Sequence, residues 1–425
     1  MSTSPAAPVL LDAAADVRAT RTPYVLLALV GLGGLFYGVT GPLVSAFIPP
    51  LVQQVLGDRP TAIGIVMTID NVLLLLLVPW AGAASDRSAG RYGRLPLVVA
   101  GLLLASVGMA VVPWAGTAGL TGVVVALVIL HTGTNLPRAP FQALLADAVP
   151  SRFRSLASAS GTFQMCVAGI VFLMLGQMFG MRAAFLAAAV TVLVVNLAVV
   201  VGLGTRSEMM AKSDVPSFHS LVDAVRSAIT GAVPGLRSVF VASFLLQLTF
   251  QTFTTWYSLY GRERFSAGPD AVTFGMIAWA MGGVIGALPA GAIGVRIGRR
   301  AAMLLGFALM ALVLIALDRA GSLTMVMPLL ALASACWTLP MANAFPLFVE
   351  PIPRQHRGVL AALFLLSMAL GGAIGDPLNG SLFELFGGYR PLFLMMATYT
   401  ALAFIAVLLV PRGAGEASME LDATT

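Results

Sequence analysis

Four polar side chains fall on one face of an otherwise apolar stretch of this chain. His131, Asn135, Arg138 and Gln142 are spaced 4, 3 and 4 apart, which stacks them along one side of a helix. An imidazole that titrates near neutrality, two amides and a permanent guanidinium together offer reversible proton binding and directed hydrogen bonds to a polar solute. Asp70, next to Asn71, is the only acid inside the apolar stretches of the first half before Asp147. It can pair with Arg138 or carry a proton itself. A second stripe with the same 4, 3, 4 spacing runs through Gln247, Gln251, Thr254 and Ser258, with Trp256 and Tyr257 beside it. Amides meet hydroxyl groups and aromatic rings meet the apolar faces of a sugar, so this set suits a neutral polyol. Asp376 and Asn379 follow a glycine-rich run, and Asp376 is a candidate outer gate. Each feature has a purely structural counterpart. The first stripe can be a buried hydrogen-bond network, Asp70 half of an ion pair, and Trp256 and Tyr257 anchors at a membrane surface.

The elements that carry these residues must lie in a bilayer. With 59% hydrophobic residues, 10% charged residues and a mean hydropathy of +0.94, the apolar surface exceeds what a water-soluble globule can bury. Stretches of about 20 apolar residues cross the hydrocarbon core as helices. Twelve are expected, near residues 24–48, 61–85, 95–113, 119–147, 155–180, 183–204, 237–260, 270–294, 301–317, 322–349, 358–385 and 390–410. In the fourth, His131 lies about 18 Å along the helix at 1.5 Å per residue, close to the bilayer midplane. A charged or strongly polar group there costs several kcal/mol unless partnered or wetted, which makes it a functional candidate.

The chain also repeats itself. ADAVPSRFRSLAS at residues 146 to 158 is echoed by VEPIPRQHRGVLA at residues 349 to 361, so Asp147, Pro150 and Arg154 align with Glu350, Pro353 and Arg357. Leu136 and Pro137 align with Leu339 and Pro340 at the same offset, and GAASDRSAGRYGR at 82 to 94 is answered by GAIGVRIGRR at 291 to 300. Two parallel membrane-embedded repeats are the plan of alternating-access transporters. The expected organisation is a tail over 1–23, a six-helix bundle over 24–205, a linker over 206–236, a second bundle over 237–410 and a tail over 411–425. Within the linker, Phe218, Leu221, Val222, Val225 and Ile229 recur at helical spacing, as in an amphipathic helix lying on the membrane.

Arginines sort to alternate loops. Arg87, Arg91, Arg94, Arg152, Arg154, Arg206, Arg226, Arg296, Arg299, Arg300, Arg354 and Arg357 all follow even-numbered spans, which places both termini in the cytoplasm of a cell with an inner or plasma membrane. The net charge of +6 follows from this topology and calls for no nucleic acid. Cys166 and Cys336 sit in apolar spans of different halves and imply neither disulfide nor metal. The first residues lack the basic-then-apolar order of a secretory signal. Gly31 to Gly34 lie inside a span and form no dinucleotide fingerprint. The expected protein is therefore a monomeric transporter rather than an enzyme, without cofactor or metal. Glycine pairs Gly34 and Gly38, Gly282 and Gly286, and Gly371 and Gly375 form small-residue faces for close helix packing.

The paired GxxxDRxGRR-like loops, twelve spans and central linker resemble the major facilitator superfamily over nearly the whole chain. The resemblance implies an all-α fold of two pseudo-symmetric six-helix bundles. It also implies a cytoplasmic latch of loop charges, carried here by Asp86, Arg87, Gly93, Arg94, Asp147 and Arg154, and by Arg299, Arg300, Glu350 and Arg357. Val295 stands where the second loop would hold its acid. More narrowly, NLPRAPFQALLADAVPSRFRS is similar to a stretch of the sucrose-type proton symporters of the glycoside-pentoside-hexuronide group. On that alignment His131 takes the place of a proton-coupling aspartate and Gln142 that of an arginine, with Arg138 one turn away able to restore the positive group. Sodium-coupled relatives carry two acids where this chain has Leu74 and Val78 before PWAGAASD, so a hard cation finds no oxygen ligands there. The expected function is proton-coupled transport of a small polar solute such as a sugar or glycoside. Solute would bind among His131, Asn135, Arg138, Gln142, Gln247, Gln251 and Trp256, and protons at His131 or Asp70. A proton-driven drug efflux antiporter is the nearest rival, and a non-pumping sensor or lipid scramblase a remoter one.

Overall fold

The computed structural model describes residues 24–87, 94–141, 154–203, 235–265, 269–349 and 357–411, and among them every regular element is a helix. In chain order these are α1 (Tyr24–Leu56), α2 (Pro60–Met67), α3 (Ile69–Arg87), α4 (Leu95–Ala115), α5 (Gly119–Asn135), α6 (Arg154–Leu203), α7 (Leu236–Phe265), α8 (Pro269–Ile297), α9 (Arg299–Arg319), α10 (Leu323–Val349), α11 (Arg357–Phe386) and α12 (Leu392–Leu408). The expected tails and most of the linker, with its amphipathic segment, lie outside the described residues.

Twelve labels coincide with twelve crossings only after two adjustments. α2 and α3 form one span, because the hydrogen bonds Thr68 N–H to Gly64 O and Val72 N–H to Thr68 O, both 3.0 Å, carry the ladder through Thr68. α6 is two spans, since 50 residues are too long for one crossing and Gly180 breaks it at φ 82°. Gly119, at φ 65°, turns the chain between α4 and α5 in the same way. α8 bends by 44° at Pro289 and remains one crossing.

The helices form two groups of six with matching neighbours. In the first half α1 packs on α6, α4 on α5 and α6, and α3 on α5. In the second, α7 packs on α11, α9 on α10 and α12, and α8 on α10. The repeat is visible at single contacts. Gly101 of α4 receives the ring of Pro137, and Gly306 of α9 receives the ring of Pro340, its counterpart. Each proline removes one backbone donor, and the missing side chain opposite accommodates the ring.

Close packing within each bundle rests on the expected glycine pairs. A Cβ on Gly34 would overlap the Gly161 carbonyl, one on Gly38 that of Met165, and one on Gly282 that of Ala331. Gly34→Ala should therefore push α1 off α6. Overpacking of this kind costs about 1–3 kcal/mol, so the melting temperature in detergent should fall by about 2–6 °C. Gly41→Ala, with open space around its Cβ, should leave it unchanged.

The bundles meet along a seam at the arginine-poor end, where α2, α3 and α11 run antiparallel. Pro60 faces Gly380 and Gly64 faces Asp376 main chain to main chain, and the Asn71 side-chain amide lies against Gly372. Thr68 Oγ1 donates to Ala373 O at 2.6 Å. Above the seam, Glu384 accepts from the Thr61 N–H at 3.2 Å, at a helix start that has no side-chain cap of its own. Tyr389 OH donates to Asp58 at 3.0 Å. From residue 60 to residue 71 the contact spans about 16 Å at 1.5 Å per residue, roughly half the membrane thickness.

Candidate functional site

Asp70 lies at the inner end of that seam. His131 Nδ1 is 2.9 Å from Asp70 Oδ1, and Asn135 Nδ2 donates to the same oxygen at 2.8 Å. Asn135 also reaches the His131 carbonyl at 2.9 Å, which fixes its amide. His131 is 6% exposed, while Asp70 keeps 40% of its side chain open. An acid halfway along a membrane span, beneath a closed seam and yet open, faces an internal cleft rather than lipid.

Asp70, open in the sequence to a pairing with Arg138 or to a proton of its own, is paired here with His131. The physical reason lies in the helix: α5 ends at Asn135, and Pro137 interrupts the ladder before a last turn closes with Phe141 N–H to Pro137 O at 2.8 Å. Arg138 is carried past that break. Its guanidinium lies over the Tyr37 ring, 5.5 Å from the centroid, and Tyr37 is held by donating to Thr134 O at 3.2 Å. Arg138 is half-buried and accepts no protein partner for its hydrogen-bond donors among the described residues, acting on Asp70 only at longer range. Gln142 lies outside the described residues.

Across the cleft, α7 presents Gln247, Phe250, Gln251 and Thr254 on one partly open face. Gln251 Nε2 donates to Asp376 Oδ2 at 2.9 Å and to Thr255 at 3.1 Å. Asp376 is fully buried and its Oδ1 has no partner. It sits in the seam, with its main chain against Gly64. Asn379 bridges Thr252 at 2.8 Å and Tyr399 at 2.9 Å, so it joins helices inside the second bundle.

Trp256 departs from the expected solute-binding role. It is 0% exposed and packs on Phe383 and Tyr389, with ring centroids 5.1 and 5.9 Å away. Ser258 is enclosed too, as is every residue from 255 to 261, where α7 reaches the arginine-poor end. The aromatic surface that is partly open belongs to Phe250 and Trp337, stacked at 5.0 Å and 23°. The indole N–H of Trp337 has no acceptor. Phe250 and Tyr37 were not singled out by sequence, because aromatic residues in apolar runs carry no distinguishing signal.

The loop charges divide. Arg94 is buried and donates to Ser85 Oγ at 3.0 Å, and Arg299 donates to Asn343 Oδ1 at 3.2 Å. Arg300 donates to the carbonyls of Val410 and Leu408, both at 2.9 Å, and so caps the C-terminus of α12. Asp147 and Glu350 lie outside the described residues, as do the side chains of Asp86, Arg87, Arg154 and Arg357. No group of three metal-ligating side chains occurs among the described residues.

The sequence profile described as Major Facilitator Superfamily matches residues 29–283 and 239–422. No curated protein matches the chain in sequence. Among solved structures, the chain is similar to a bacterial homologue of the human lysosomal transporter Spinster in an inward-facing, unoccupied conformation, with a TM-score of 0.71, 16% identity and coverage of 94% of this chain and 98% of that one. It is similar to the nucleoside transporter NupG, with a TM-score of 0.73, 13% identity and coverage of 91% and 100%. It is also similar to a D-xylose-proton symporter, with a TM-score of 0.68, 15% identity and coverage of 92% and 97%. At these identities the likeness is one of fold.

Proposed function

Because this chain belongs to the major facilitator superfamily, whose members carry small solutes across membranes, we propose that it is a proton-coupled transporter of a small polar solute, of the sugar or glycoside class, working by alternating access. The observation that carries this reading is the His131–Asp70 pair, 2.9 Å apart and open on the carboxylate side, at the inner end of the seam. A proton shared there changes the charge facing the cleft at the depth where solute would bind. Asn135, Arg138, Gln247 and Gln251 supply the polar contacts, and Asp376, buried in the seam, belongs to the gate. The likeness to a D-xylose-proton symporter favours the same class of cargo and coupling. Arginine-rich loops put both termini on the cytoplasmic side of a cell membrane, so the seam closes the outer mouth. The polar faces of the fourth and seventh spans favour this reading over efflux of amphipathic drugs, which needs a more apolar cavity.

The test is uptake into proteoliposomes holding the purified protein, under an acid-outside gradient and over a panel of sugars and glycosides. Accumulation that collapses with a protonophore is expected. Uptake that is insensitive to the gradient for every member would remove the proton from the mechanism.

A further inference from the structure

The unsatisfied groups of the cleft describe the solute more closely, given the reading above that the cleft is the transport path. Arg138 brings five N–H donors in a planar fork. No acceptor in the described protein meets them, and the guanidinium rests on the Tyr37 ring, half-buried. A fork held in place by an aromatic face and left without an acceptor is the arrangement that binds carboxylate or phosphate oxygens in pairs. Across the cleft, Phe250 and Trp337 form a half-buried stacked pair. A flat apolar surface of this kind suits the face of a ring.

We infer that the transported solute is a ring-bearing organic anion: its carboxylate or phosphate is bound by Arg138, and its ring lies against Phe250 and Trp337.

The charges around Arg138 support this and link it to the proton. Pro137, Ala139 and Phe141, which flank it, pack on Gly101 of α4, Gly82 of α3 and Gly33 of α1. α4 holds no charged residue. α1 contributes Tyr37, α3 contributes Asp70, with Asp86 and Arg87 a turn beyond Gly82, and Arg94 precedes α4 on Ser85. Asp376 on α11 acts on Asp70 from across the seam. With a proton on His131, the Asp70 charge is met by the imidazolium, and Arg138 keeps an unbalanced positive charge for the solute. Without it, Asp70 draws on Arg138 and opposes an incoming anion. Proton and anion therefore bind better together than apart, which is the thermodynamic requirement of symport.

The experiment is titration calorimetry on the full chain in nanodiscs, with glucuronate, glucose 6-phosphate, inorganic phosphate and glucose as probes at two pH values. Glucuronate or glucose 6-phosphate should bind at least about tenfold more tightly than glucose, and more tightly at the lower pH; which of the two wins separates carboxylate from phosphate. R138Q should erase that preference, and R138K should retain only part of it. W337A should weaken the ring-bearing anion severalfold and leave inorganic phosphate unchanged. That last pair of titrations decides the matter even where R138Q fails to fold. Equal affinity for glucose and the anions, failure of any anion to bind, or unchanged anion affinity in R138Q overturns the inference. Neutral sugars that accumulate under the acid-outside gradient would leave the transport reading in place while this assignment falls.

Discussion

Replacing His131 with alanine should abolish gradient-driven accumulation while solute exchange continues. One pH unit stores 1.36 kcal/mol per proton, so tight one-to-one coupling supports about tenfold accumulation of solute in the wild-type protein. Removing the imidazole leaves Asp70 with Asn135 alone at hydrogen-bond distance and turns its charge toward Arg138. The accumulation ratio should fall to about one, and counterflow of labelled solute should persist with a raised half-saturation concentration. Asp70→Asn should give the same loss by removing the other partner. Both can be read in one assay, as uptake with and without a gradient and counterflow at zero gradient. Accumulation that survives both changes would mean that protons enter elsewhere, and Asp376, buried with an unpartnered oxygen, would be the next place to look.

Gly64→Val should shift the protein toward the conformation open at the arginine-poor end. A Cβ at residue 64 would overlap the Asp376 carbonyl when the seam is closed, and it meets nothing there once α2 and α11 part. Overpacking costs about 1–3 kcal/mol, and each 1.4 kcal/mol is tenfold in an equilibrium, so the open-to-closed ratio should rise by about 5- to 150-fold. The effect differs from that of Gly34→Ala, which strains one bundle internally and destabilises both conformations alike. Spin labels on the loops before α2 and after α11 would report the separation, and a distance distribution indistinguishable from wild type would show that the seam yields locally without parting.

Much of this architecture can be read from periodicity alone. Apolar runs of membrane length locate the spans, because a helix in lipid has no other means of satisfying its backbone. The duplicated Leu-Pro of residues 136–137 and 339–340 foretells the two proline-in-glycine contacts with Gly101 and Gly306. The His131 and Asn135 face was legible too, since residues one turn apart must share a side. The choice of partner for Asp70 was not legible. His131, rather than Arg138, meets Asp70, because a proline break between the two changes the path of the helix, and spacing rules assume an unbroken one. Trp256 failed for a simpler reason: five residues beyond Gln251 is about 140° around the helix from it, which turns the indole into the second bundle. The capping contact of Arg300 was not legible in the sequence, since a charge near a helix end can cap carbonyls or bridge two domains.

The seam that shuts one mouth has few interlocking parts. Glycines at 64 and 380 bring main chain against main chain, Gly372 admits the short Asn71 amide, and the Thr68 hydroxyl is a direct tie. Surfaces of this kind slide apart without any large side chain having to leave a socket, so the barrier to parting is set mostly by how readily water reaches a handful of peptide groups. Such a closure works as a shutter more than as a bolt. It responds to modest changes in occupancy below it, and its speed depends more on wetting than on the rearrangement of a packed core.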